Sequence, residues 1–475
     1  MHAYTVLLSL TLSSIALHAQ PSARYDQFFT DQTMRVDYFH SGTQKSEEFS
    51  LDRVYREGPW PGSKTTLLDN LNMGEYMVRV FDVTSGILVY SRGFSTIFNE
   101  WQTTDEAGTG ARRAFSETVR FPYPKSTLQV TIVRRDRRMI FHEVWSVLID
   151  PNDPTRVVKE TRQKTYPITV LMENGAPEKK VDILILGDGY AKSEMEQFRK
   201  DARHFNDVMF GTTPFKERKK DFNVRVIEIE SGESGIDIPD KDVWRANALG
   251  TSYNTFGSAR YVLSEDNKTI RDIAGTVPYD CICILLNDTR YGGGGIYNLY
   301  ATTYARERAQ WQEWQRDYMY VHEFGHSFAG LGDEYYGSST GYTDFYLPGV
   351  EPWEPNITTL LNKDDVKWRA LLSPGIELPT PWEKARYDSL ERARAKLDRL
   401  APDYYEKREP IFKAEREIRN SSLYKGKVGA FEGAGYSAKG LYRPSVDCRM
   451  FSLSLVDFDP VCRSALEKVI DSYTR

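Results

Sequence analysis

The chain has 475 residues, 40% hydrophobic and 13% aromatic, which supplies apolar surface for real cores in two or three domains. A formal net charge of -5 and a pI of about 5.9 lack the basic footprint of a nucleic-acid binder, so nucleic acid is not an expected partner. Beyond the N-terminal segment no run approaches the roughly 18 apolar residues of a transmembrane helix.

Residues 1–19 read as a signal peptide, apolar from Tyr4 to Leu17 and cut near Ala19. The segment has no cysteine for a lipid anchor, so a secreted or periplasmic protein is expected. Residues 20–154 show short period-two segments and are predicted to form an all-β sandwich. Tyr76 to Val83, the turn Thr84-Ser-Gly86 and Ile87 to Tyr90 read as a hairpin, while Thr127 to Val133 and Met139 to Ile149 repeat the pattern. His40 and His142 read as satisfied core or surface histidines, and Asp150-Pro-Asn-Asp-Pro154 breaks regular structure and ends the domain.

Residues 155–475 change to strands alternating with helices, an α/β layered sheet. Strands are expected at Ile168 to Met172, Val181 to Leu186, Asn223 to Ile229 and Cys281 to Leu286, and Ser193-Glu-Met-Glu196 reads as a capping box opening a helix to about Met209. Gly187-Asp188-Gly189-Tyr190 ends a strand where open sheets hold ligands, and reads first as a strand-to-helix turn. The run Tyr291-Gly-Gly-Gly-Gly295 lacks the Lys-Ser/Thr of a phosphate loop; it suits either close approach of a substrate backbone or a flexible loop. A charged helical insertion is expected over about 382–424. Of the four cysteines, Cys281 and Cys283 share one strand face as buried thiols. Cys448 and Cys462 bracket a loop that an exported protein is expected to close with a disulfide. Metal ligation by cysteine is the lesser reading, because no paired CxxC motifs occur.

The chemistry concentrates in Tyr318-Met-Tyr-Val-His322-Glu323-Phe-Gly-His326-Ser-Phe-Ala-Gly-Leu-Gly-Asp333-Glu334-Tyr335. On a helix His322 and His326 lie one turn apart on one side and can reach one tetrahedral Zn2+ ion, with Glu323 beside them as general base. Tyr318, Val321, Phe324, Phe328 and Leu331 form the apolar stripe. Catalytic zinc takes three protein ligands and keeps one position open. Asp333 is the first candidate for the third, since Gly330 and Gly332 turn the backbone just before it, and Glu334 is the neighbour that can substitute.

This motif, together with Val181 to Tyr190, Tyr291 to Gly295, Glu354-Pro-Asn-Ile-Thr358 and Gly440-Leu-Tyr-Arg-Pro-Ser-Val-Asp-Cys-Arg-Met450, resembles the M64 peptidases, a family named for an immunoglobulin A peptidase. The resemblance spans nearly the whole mature chain. It implies a metzincin-like zinc metallopeptidase acting on protein or peptide substrates, with His322, His326 and Asp333 as ligands and Glu323 as general base. It further implies a β-rich domain before the catalytic one, and Met450 as an apolar floor under the metal. Against the metzincin pattern, glycine and third ligand fall one residue late, at Gly330 and Asp333 instead of Ala329 and Gly332, as a one-residue insertion would produce. Tyr442, close before Met450, is the first candidate for an oxyanion donor and Tyr436 the second.

Two other readings compete. In a gluzincin-like peptidase, Glu391, Glu406 or Glu409 of the later helices would be the third ligand. In a surface protein binding glycan or host protein, the zinc site would only hold the fold, although such a site has no use for Glu323.

Overall fold

The computed structural model describes residues 24–159, 165–307, 313–337, 346–397 and 403–475, so the expected signal peptide lies outside the described residues. The period-two N-terminal sequence forms two four-stranded sheets. One runs in the order Arg113–Pro124, Phe29–Thr43, Ser46–Glu57, Val157–Lys159, the other Leu88–Phe94, Tyr76–Asp82, Leu128–Arg135, Phe141–Ile149. They share one core, in which Val36, Tyr38, Val54 and Phe121 meet Val78, Val80, Val130 and Ile132. The expected hairpin forms, with Gly86 at φ +68° in its turn. Val157–Lys159 follows the proline linker yet pairs in parallel with Ser46–Glu57, so the chain leaves this sheet after residue 154. His40 is buried between Glu47 and Glu117, and the exposed His142 pairs with Asp136.

The rest of the chain is built on a six-stranded mixed sheet in the order Gly293–Ile296, Tyr300–Tyr304, Cys281–Leu286, Val181–Asp188, Phe222–Ile227, Ile168–Met172. The inner four strands are parallel and both edge strands antiparallel. Parallel strands are buried on both faces, which accounts for the unbroken apolar runs in Val181 to Leu186 and Cys281 to Leu286. Ile183 and Ile185 share one core with Phe198 and Phe205 of the helix Met195–Phe210 and with Val321 and Phe324 of the motif helix Glu313–Ala329. Leu184, Leu186, Ile282 and Ile284 share the opposite core with Ile97, Phe98 and Trp101, which follow the first domain's strand Leu88–Phe94. The N-terminal domain therefore covers one face of the second sheet.

Several local expectations change. The helix from Met195 is preceded by a 3-10 turn, so the reach-back bond runs from Ala191 N–H to Glu194 Oε2 at 2.9 Å, and Glu196 instead pairs with Lys200. Asp188 turns away from any ligand role: its carboxylate accepts from the backbone N–H groups of Gly189, Ala248, Leu249 and Thr251 and from the Thr251 hydroxyl, tying a loop to the strand end. The glycine run is mainly the edge strand Gly293–Ile296 and not a loop. The Cys448–Cys462 disulfide does not form. The sulfurs stand 3.8 Å apart, against about 2.05 Å for a bond, and all four cysteines are free.

Within the expected insertion, Lys384–Ala395 and Tyr404–Ser421 form the helical hairpin, joined through Arg394 to Glu391 and Glu415. A β-hairpin, Phe431–Ala434 with Ser437–Arg443, and the terminal helix Pro460–Thr474 complete the fold. Among the described residues no helix is long and apolar enough to cross a membrane.

Candidate metal centre

The motif helix ends where its sequence loses side chains. Gly330 adopts φ +56° and its N–H returns to the His326 carbonyl at 3.0 Å, a left-handed stop that redirects the chain. Asn356 then clamps the turn, accepting from Gly332 N–H at 2.8 Å and donating to Gly332 O at 2.9 Å. Asp333 is thereby carried back against the two histidines.

Three ligand atoms converge. His322 Nε2 and His326 Nε2 are 3.2 Å apart, and Asp333 Oδ1 lies 3.1 Å from the first and 3.3 Å from the second. Zinc with bonds of about 2.0–2.1 Å has tetrahedral edges of about 3.3–3.4 Å, so the three atoms match one face of such a coordination sphere. The other ring nitrogens fix the orientation: His322 Nδ1 meets Arg449 O at 3.1 Å and the Tyr318 hydroxyl at 3.0 Å, and His326 Nδ1 meets Leu331 O at 2.5 Å. Donating Nδ1–H to a carbonyl leaves each Nε2 lone pair aimed at the site. Asp333 Oδ1 is buried without a hydrogen-bond partner, whereas Oδ2 accepts from the Tyr436 hydroxyl. Two imidazole lone pairs facing an orphaned carboxylate oxygen suit a bound cation.

Electrostatics agree. Burial opposes ionisation of Asp333, yet the facing His326 and His322 outweigh it and hold the carboxyl well below its usual range. Burial also disfavours a charged His326, and Asp333 overrides this, raising the imidazole to about 9. Burial pushes the Glu323 carboxyl up.

These residues line a cleft whose walls come from distant segments. Gly293 and Gly295 of the edge strand lie against Glu323. A Cβ on Gly295 would come within 2.3 Å of the Glu323 carbonyl oxygen, so the close approach that requires glycine here is to the motif helix. Met450 is fully buried, its sulfur 3.3 Å from where a Cβ on Gly325, the residue before His326, would stand. Tyr436 lines the cleft and Tyr442 does not. In the strand Ser437–Arg443 side chains alternate, so Leu441 and Arg443 turn inward and Tyr442 faces the other way. Glu391 is taken by Arg394, Glu406 and Glu409 are exposed, and none of the three joins the histidines. Glu334 also points elsewhere, accepting from Asn356 Nδ2 at 2.9 Å.

Sequence reading missed Glu100 and Arg260. Glu100 enters the cleft from the N-terminal domain, where burial raises its carboxyl to about 8 and the Tyr261 hydroxyl donates to it. Arg260 is half-buried, its guanidinium 6.0 Å from the centre of the Tyr335 ring and in the field of the Asp333 carboxylate. Neither belongs to a motif: the packing of the two domains brings Glu100 to the histidines, and a loop of the second domain brings Arg260.

Two family models match the chain: IgA Peptidase M64 over residues 169–470 and Peptidase M64 N-terminus over residues 24–146. Among curated proteins nothing matches.

Proposed function

Because the chain belongs to the M64 peptidase family and is thereby a peptidase, we propose that it hydrolyses peptide bonds as a zinc-dependent, metzincin-like enzyme with Glu323 as general base. The observation that carries this reading is the triangle of His322, His326 and Asp333 ligand atoms with Glu323 on the same helix, facing one cleft. When bound, Zn2+ would supply the Lewis acidity that makes water nucleophilic near neutral pH and polarises the substrate carbonyl.

The protein's own groups do the rest. His322 and His326 are oriented by the carbonyls of Arg449 and Leu331, and Asp333 by the Tyr436 hydroxyl, so the ligand set is preorganised. Glu323 takes a proton from the attacking water and passes it to the leaving amine. Arg260 is the cleft's candidate donor to the carbonyl oxygen as it gains negative charge, the single O–H of Tyr436 being given to Asp333 Oδ2. Met450 serves as an apolar floor that keeps the helix at a fixed height. The apolar N-terminal nineteen residues support export to the periplasm or beyond.

The test compares wild type with Glu323→Gln on a broad peptide library while metal content is counted. Loss of cleavage with zinc retained is expected. Equal silence of both proteins, each still holding zinc, would favour a binding protein with a structural metal.

A further inference from the structure

We propose that the chain holds a second zinc ion, in a closed structural site formed by Glu334, Cys448, Asp459 and Cys462. The four come from three segments: the loop after the motif helix, the turn carrying Met450, and the start of the terminal helix Pro460–Thr474. All four are buried, and one ligand atom from each lies within 4.8 Å of the others.

The geometry favours an ion over the two alternatives. Two thiolates on one tetrahedral zinc, with Zn–S of about 2.3 Å, stand about 3.8 Å apart. Cys448 Sγ and Cys462 Sγ are 3.8 Å apart, nearly twice a disulfide bond. Glu334 Oε1 is 3.2 Å from Cys462 Sγ, close to a mixed sulfur–oxygen edge. The backbone N–H groups of Met450 and Asp459 point at Cys448 Sγ at 3.5 and 3.4 Å, the kind of donation that stabilises a metal-bound thiolate. A merely hydrogen-bonded cluster would satisfy its oxygens, yet Glu334 Oε2 and Asp459 Oδ2 are buried with no partner. Meanwhile Glu334 Oε1 is steered by Asn356, and Asp459 Oδ1 caps the terminal helix through Val461 and Cys462 N–H at 2.7 and 2.9 Å. Sulfur and carboxylate donors with no open side suit a structural zinc ion.

The site is independent of the catalytic reading, and its test keeps the two apart. Metal is counted in the purified full-length protein, in a His322→Ala/His326→Ala variant and in a Cys448→Ser/Cys462→Ser variant. Two equivalents are expected in wild type and one in each variant. If the cysteine variant fails to fold, the histidine variant decides: reconstituted with cobalt, it should retain thiolate-to-cobalt charge-transfer absorption. Alkylation after denaturation and chelation should label Cys448 and Cys462 fully. A Cys448–Cys462 disulfide in the freshly purified protein, or a metal-free histidine variant without the cobalt–thiolate band, overturns the proposal.

Discussion

At the scale of single residues, Asp333 carries the sharpest expectation. Removing its carboxylate leaves two imidazoles, so Asp333→Ala should lose the proposed catalytic zinc, read by metal content, and with it peptide cleavage, read by assay. Tyr436 and Tyr442 separate a cleft residue from its strand neighbour. Tyr436→Phe removes the donor on Asp333 Oδ2 and should lower metal affinity or turnover about 10–100-fold, whereas Tyr442→Phe should change neither beyond experimental scatter. The sequence displayed His322, Glu323, His326 and Asp333 because a helix repeats every 3.6 residues and the glycines announce the turn. Which of Tyr442 and Tyr436 faces the cleft is not legible in it, because strand parity depends on where pairing begins, and Gly433 and Gly435 conceal that starting point. Adjacency in sequence makes Glu334 a spare ligand for the same ion, yet its carboxylate accepts from Asn356 and Cys462 while that of Asp333 faces the histidines.

At the scale of elements, the glycine edge strand was the least legible. Four glycines have no side-chain periodicity, so nothing marks them as strand, and their purpose emerges only from the helix laid across them. Gly295→Ala should force strand and motif helix apart. A cost of about 1–3 kcal/mol or more is expected in thermal or denaturant unfolding, with a fall in turnover as Glu323 shifts. Another element-level prediction concerns Asp280, at the start of the strand Cys281–Leu286, which accepts from Asp182 N–H at 2.9 Å. Burial, then the neighbouring Asp182 carboxylate, raises the Asp280 carboxyl. A carboxyl that holds its proton more tightly folded than unfolded favours the fold at low pH, and that advantage is lost as pH rises above the ordinary carboxylate range. Asp280→Asn keeps the acceptor without the charge. Its unfolding free energy should therefore fall less steeply than wild type between acid and neutral pH.

At the scale of the whole molecule, the two domains were legible as β then α/β, but their union was not, since a core shared by Trp101 and Leu184, or a bond from Arg92 to Tyr473, leaves no local pattern. The C-terminus itself is bound to the first domain, where Ser63 and Thr65 donate to the Arg475 carbonyl oxygen. Arg35 reaches across in the same way, from Asp37 and Glu57 to Asp272 at 2.6 Å. With a core in common, the halves should unfold in one calorimetric transition, and residues 165–475 expressed alone should aggregate through the uncovered face of Leu184, Leu186, Ile282 and Ile284. Ser95, Asn99 and Glu100 extend the same union into the cleft, where they form part of its wall although they precede the motif helix by some two hundred positions. Such a wall cannot be exchanged or mutated as part of the catalytic cassette: a chimera that grafts a foreign N-terminal module onto these histidines would also import a new surface facing the substrate, and the two segments are bound to diversify together.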